Sequence, residues 1–202
     1  MTMQKQKKAQ LTFDIVFAGV GGQGVLSIAS IIARAALIEG LYFRQSEVHG
    51  MSQRGGVVHA HMRLSNLDIA SDIIPHGGAD MILSMEPLES LRYMKLLKPD
   101  GIIISGSEPV LNIPDYPDMH TVIRCIKKNS RACVIDTLQA AESAGNRKVN
   151  NMVLLGAALC ALPIKKNTVE RSIREVFAQK HHEMLIVNLR AFELGIALHG
   201  AA

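Results

Sequence analysis

The residues best suited to chemistry come early in the chain. Gly19-Val20-Gly21-Gly22-Gln23-Gly24 has G-x-G-x-x-G spacing. Glycines so placed let the backbone turn tightly, approach a pyrophosphate and pack a following helix close to a sheet. The helix N-terminus adds free N–H groups and a positive dipole end. Gly19, Gly21, Gly22, Gln23 and Gly24 are therefore the candidate cofactor-binding residues. The plainer alternative is that the glycines only permit the turn. A second segment, Gln45–Gly56, is dense in polar groups and glycine and reads as a functional or partner-facing loop. In it, Glu47 stands where a dinucleotide site would put its ribose-binding acid. Arg54, before Gly55 and Gly56, offers a planar fork to a carboxylate or phosphate.

The remaining chemistry is sparse. His59 and His61 alternate on one face of an expected strand, with His49 nearby, but no third ligand or supporting shell points to a metal. Ordinary hydrogen-bonded strand histidines are the simpler reading, and His181-His182 reads as a loop or cap. The Gly19–Gly24 loop lacks the Lys-Ser/Thr of a P-loop, and there is no G-x-S-x-G nucleophile and no Gly-Asp-Gly thiamine signature. No catalytic residue can be named. Cys125, Cys133 and Cys160 leave an odd count without C-x-x-C, which supports neither a disulfide framework, a zinc site nor an iron–sulfur cluster; they read as reduced, buried thiols.

The elements that must position the glycine loop follow from periodicity. Thr12–Phe17 is a β-rich apolar run, and Val25–Glu39 repeats apolar residues at helical spacing until Gly40 stops it. Strand, glycine loop, helix opens a doubly wound α/β domain. Further strands are expected at Val57–Leu64, Met81–Ser84, Ile102–Ser105 and Cys133–Asp136. Pro87 starts a helix to about Leu97, Pro99-Asp100-Gly101 makes a turn, and Gly106–His120, with three prolines, is an irregular connection. Thr137 is a candidate cap for the next helix. The last third is helical: Asn150–Leu162, Thr168–Phe177 capped by Asn167 or Thr168, and Glu183–Leu198 with Leu185, Leu189, Phe192 and Ile196 on one stripe. The expected architecture is a mostly parallel, doubly wound, Rossmann-like sheet with a helical C-terminal part. A basic N-terminus, 1–11, precedes a single domain over 12–202.

Composition limits the partners. The chain has 202 residues, 48% hydrophobic and 20% charged, which suffices for a core without staples. Aromatics are 4% with no Trp, so the core is aliphatic and base-stacking platforms are excluded. The net charge of +4 is local, with Lys5, Lys7 and Lys8 in a solvated terminus, and does not imply nucleic acid. Val25–Leu41, the longest apolar-looking run, carries Arg34 and Glu39, so no membrane span is expected. No secretory signal is recognised, and a cytoplasmic location is expected.

Two segments together resemble a known family. Gly19-Val-Gly-Gly-Gln-Gly24 followed by Val25-Leu26, then Ser46-Glu-Val-His-Gly-Met-Ser-Gln-Arg-Gly-Gly56, resembles gamma-type subunits of 2-oxoacid:ferredoxin oxidoreductases, and among them the indolepyruvate type. The resemblance runs from about Phe13 to the C-terminus. It implies a subunit inactive alone, whose large partner holds thiamine diphosphate and [4Fe–4S] clusters. That partner decarboxylates a 2-oxoacid, passes the acyl group to coenzyme A and sends electrons to ferredoxin. It also implies that Glu47, His49, Ser52, Gln53, Arg54, Gly55 and Gly56 belong to a loop facing the partner's active site. Pyruvate-type members often carry a Ser-Tyr-Gly-Pro-Glu-like run before Arg-Gly-Gly; here Glu47–Gln53 departs from it, which favours an arylpyruvate substrate. The alternatives are a free-standing NAD(P)- or nucleotide-binding oxidoreductase and a non-catalytic interaction module.

Overall fold

The computed structural model describes residues 10–49, 55–178 and 182–200, without the His49 side chain. Thr12–Val20 forms β1, longer than the apolar run alone, because Ala18 to Val20 still have ladder partners in the sheet. Ile15 and Phe17 enter the core on one face and Val16 on the other, all fully buried, as a central strand covered on both sides requires. Helix α1, Val25–Ile38, buries Val25, Ile28, Ala29 and Ile32 along one stripe.

The chain next departs from expectation. Tyr42–His49 is a strand, β2, so Gln45 to His49 are not loop. Its polar sequence hid it, because an edge strand needs few apolar residues. It forms a hairpin with β3, Val57–Ser65, in an unbroken antiparallel register from Tyr42↔Ser65 to His49↔Val58. Strand β4 is Ala79–Ser84 and α2 is Pro87–Arg92, followed by a 3-10 turn at Met94–Leu96. The expected Pro99-Asp100-Gly101 turn lies inside β5, Leu97–Gly106. There the ladder with β4 shifts register between Ala79 and Met81 and absorbs it.

Helix α3, Met119–Ile126, capped by Asp118, was not expected after the Pro-rich connection. Strand β6, Ala132–Ile135, leads to α4, Thr137–Ala144, whose cap is Asp136 rather than Thr137; its carboxylate accepts from Gln139 N–H at 2.8 Å. Helices α5 (Asn150–Ala158), α6 (Lys166–Val176) and α7 (His182–Gly200) follow. Neither Asn167 nor Thr168 caps α6. Lys165 precedes it, held where its N–H meets the Glu39 carboxylate at the end of α1.

The sheet order is β2-β3-β1-β4-β5-β6. Among the described strands β3 alone runs against the others, so the sheet is mostly parallel. Helices α1 and α4 to α7 share one core with one face; α2 and α3 cover the other. Helices α5 and α7 cross at two glycines. A Cβ on Gly156 would come 2.0 Å from the Phe192 carbonyl oxygen, and one on Gly195 would come 1.9 Å from that of Val153. This contact centres α7 on Asn188, Ala191, Phe192 and Gly195; Leu185, Leu189 and Ile196 are half-buried flanks. Of the three cysteines only Cys133 is buried; Cys125 is half-buried and Cys160 exposed, which corrects the expectation of three buried thiols.

Candidate functional site

The site lies at the C-terminal end of the parallel strands, where β1 gives way to the glycine loop. The next strand along the chain, β2, goes to one side of β1, and β4 lies on the other. This is a topological switch point, where open α/β sheets bind ligands. Each loop residue has a distinct task. Gly19 lies where a Cβ would meet Val25 Cγ2 at 2.7 Å, so its bareness lets α1 return close to its strand. Gln23 folds inward: its Oε1 accepts from Val20 N–H at 2.7 Å, and its Nε2 donates to Met85 O at 3.4 Å, bridging the ends of β1 and β4. Gly24 precedes α1 with φ +79, a backbone conformation that side chains resist, and its Cα faces Asn151 closely.

The two segments singled out in the sequence meet here. Gly21 N–H donates to Gly56 O at 2.8 Å and Gly55 N–H donates to Gly21 O at 3.3 Å, which carries the β1–β3 pairing into the loop. Asn112 Nδ2 donates to Gly55 O at 2.6 Å, tying down the Pro-rich connection. Gly21 therefore spends its donor on the hairpin, and Gln23 N–H donates to Val20 O at 3.1 Å, so neither is left for a phosphate. Glu47 is on β2, and β3 stands between it and β1. That puts it about two strand spacings, roughly 10 Å, from β1, one strand farther out than a ribose-binding acid on the strand beside β1 would be. Gln45 donates to its carboxylate. Ser52, Gln53 and Arg54 lie outside the described residues, and His49 is placed only as the end of β2.

The open side of the loop faces the helical part of the chain. A cavity of about 540 Å³ is bordered by Gly22 to Gly24 and Ser27, by Lys148 to Asn151, and by Phe177, Met184 and Asn188. Helix α1 begins on it without a side-chain cap or an acid in its first turn, and α5 begins there as the continuation of a 3-10 turn, Arg147–Val149, that the Asn146 side chain caps through Lys148 N–H at 2.9 Å. The N-terminus of α1 and the Lys148 ammonium make this wall positive. The sequence reading missed Lys148 and Asn151; a basic pair followed by Asn150-Asn151 at a helix start was the available signal.

The flanking groups are structural. Glu86, 1% exposed, caps α2 through Glu89 N–H at 2.8 Å and accepts from Val110 N–H at 3.3 Å and from the Tyr116 hydroxyl. Burial beside that carboxylate pushes the Tyr116 phenol up, and burial near Glu89 pushes Tyr93 up to about 12. His61 Nδ1 accepts from Ile74 N–H at 3.0 Å, while His59 packs on Tyr93 with ring centres 4.9 Å apart. Burial holds both imidazoles below their ordinary value. Among the described residues no group of three metal-ligating side chains converges, and no helix is long and apolar enough to cross a membrane.

Fold and loop define a doubly wound α/β domain with a glycine-rich loop at its switch point. Comparison with known proteins narrows the class: residues 14–198 match the family model described as pyruvate ferredoxin/flavodoxin oxidoreductase, and the chain belongs to that family. It is 36% identical to the indolepyruvate oxidoreductase subunit IorB of Pyrococcus horikoshii over 91% of this chain and 94% of that one. The crystal structure of the gamma subunit of a keto/oxoacid ferredoxin oxidoreductase from Geobacter sulfurreducens superposes with a TM-score of 0.69 at 26% identity, covering 94% of this chain and 99% of that one. A 2-oxoglutarate:ferredoxin oxidoreductase from Magnetococcus marinus, solved with 2-oxoglutarate, coenzyme A and succinyl-CoA bound, shares the fold. Its TM-score is 0.75 at 24% identity, with 95% of this chain covering 31% of that longer chain.

Proposed function

We propose that the chain, acting as one domain over 12–202, is the small subunit of an indolepyruvate-type 2-oxoacid:ferredoxin oxidoreductase. The observation that carries this is the junction of the two segments. The glycine loop and the Gly55-Gly56 end of the hairpin are hydrogen-bonded together at the functional end of the sheet, beside a cavity with a cationic wall. The thiamine diphosphate and [4Fe–4S] clusters that supply decarboxylation and electron transfer belong to a large partner subunit, which passes electrons to ferredoxin. This chain's task is binding and orientation. The unused loop amides, the N-terminus of α1 and Lys148 hold phosphate groups of coenzyme A, and the 49–56 hairpin tip faces the partner.

A nicotinamide reading fits less well, because Gly21 N–H is engaged and Glu47 is displaced from β1. The test is calorimetry of the purified chain with coenzyme A, NAD and NADP, together with viologen reduction by the chain alone and with its thiamine-bearing partner. The expected result is coenzyme A binding weakened about tenfold by Lys148→Ala, loss of one charge-assisted contact. Turnover should appear only with the partner and be fastest on indolepyruvate. Tight NAD binding, or turnover by the chain alone, overturns the reading.

A further inference from the structure

Strand β2 closes one side of the sheet, and among the described residues it has a single neighbour, β3. Proteins blunt such edges with charged side chains, proline, bulges or short strands. Tyr42–His49 has no proline and no bulge, is eight residues long with unbroken pairing to β3, and its two charged side chains, Arg44 and Glu47, are of opposite sign. The opposite edge, β6, has four residues. On one face of β2 stand Tyr42, Arg44, Ser46 and Val48, opposite Ser65, Arg63, His61 and His59. Its two large apolar members, at opposite ends of the strand, are Tyr42 at 53% exposure and Val48 at 52%.

We propose that this edge is a self-complementary interface, through which two copies of the chain pair β2 with β2 antiparallel about a two-fold axis at Gln45. The period of two in a strand requires paired residues to share a face, so the axis must fall on a residue. With Gln45 on the axis, Tyr42 meets Val48 of the second copy and Val48 meets its Tyr42. Arg44 then meets Ser46, and both exposed apolar side chains are covered twice over. An axis at Ser46 sets Val48 against Arg44 and leaves Tyr42 beyond the end of the paired strands. An axis at Arg44 opposes two guanidinium groups and leaves Val48 over Gly40. Pattern thus selects one register. In that register the sheets run continuously and their C-terminal ends point in opposite directions, so both glycine loops stay open to larger partners.

The test uses the full chain. Sedimentation velocity across a concentration series should show a monomer–dimer equilibrium. Val48→Lys, at an exposed position, should weaken the dimer at least about tenfold while the melting temperature of the monomer, measured at dilution, stays unchanged. In a Cys160→Ser background, Gln45→Cys should form an intermolecular disulfide under mild oxidation, because the axis sets the two thiols face to face, whereas Leu37→Cys should not. A monomer at every concentration, a dimer indifferent to Val48→Lys, or absence of the position-45 cross-link overturns the proposal. So does a β2 edge that binds the thiamine-bearing subunit while the chain itself remains monomeric.

Discussion

Gln23 shows how one side chain can decide what a glycine loop does. Its amide joins the ends of β1 and β4, so the crevice between them is bridged by the protein itself, and the cavity beside the loop lies toward the helical part of the chain. His61 is the residue whose titration matters for the fold. Its neutral ring accepts from Ile74 N–H, and burial and the neighbouring His59 charge hold its proton affinity down, against the opposing pull of Asp72 and Asp14. An imidazole lowered in the folded state is protonated first in the unfolded chain, so stability is complete above the ordinary value of about 6.5 and falls as pH drops through the folded value. Urea midpoints measured from about pH 8 down to about pH 5 should therefore decline. His61→Asn, which keeps an acceptor for Ile74 and does not titrate, should flatten that decline; an unchanged slope would place the acid sensitivity elsewhere.

At the scale of elements, the α5–α7 crossing holds the helical part against the sheet. No side chain fits where Gly156 and Gly195 bring the two backbones together. Gly195→Ala must push the helices apart, opening the packing around Phe192 and Val153, and should cost about 3 kcal/mol or more. Denaturant unfolding checks the magnitude. Gly200→Ala, at an open position near the end of the same helix, should cost little. Because Asn188 of α7 and Asn151 of α5 also border the cavity, Gly195→Ala should loosen coenzyme A binding as well as the fold.

At the scale of the molecule, one end of the sheet gathers the glycine loop, the Gly55-Gly56 end of the hairpin and the Pro-rich connection. Arg54, next to Gly55, belongs to the segment proposed to meet the partner. Removing a buried charged contact at an interface costs on the order of 2–5 kcal/mol. Arg54→Ala should then weaken reconstitution with the thiamine-bearing subunit, or its turnover, while leaving the melting temperature of the free chain unchanged. Lys7→Ala, in the basic N-terminus, is the control and should do almost nothing. Wild-type affinity and turnover for Arg54→Ala would make that segment structural.

The α/β class, the strand–loop–helix opening and the family are legible in the residues without coordinates. Apolar periodicity is a local property, and the spacing of Gly19, Gly21 and Gly24 reads without coordinates. It also marked most of the helices, and Phe192 as a core residue. Tertiary structure alone decided the rest. Strand β2 was invisible because edge strands with one paired side carry polar residues, and α3 because its short pattern lay beside prolines. The placement of Glu47 depended on β3 inserting next to β1, and no local pattern encodes which strands become neighbours. The cavity wall is likewise non-local: Asn151 reaches Gly24 across more than a hundred residues and brings Lys148 to the same wall, because α5 packs on α1 through the shared core.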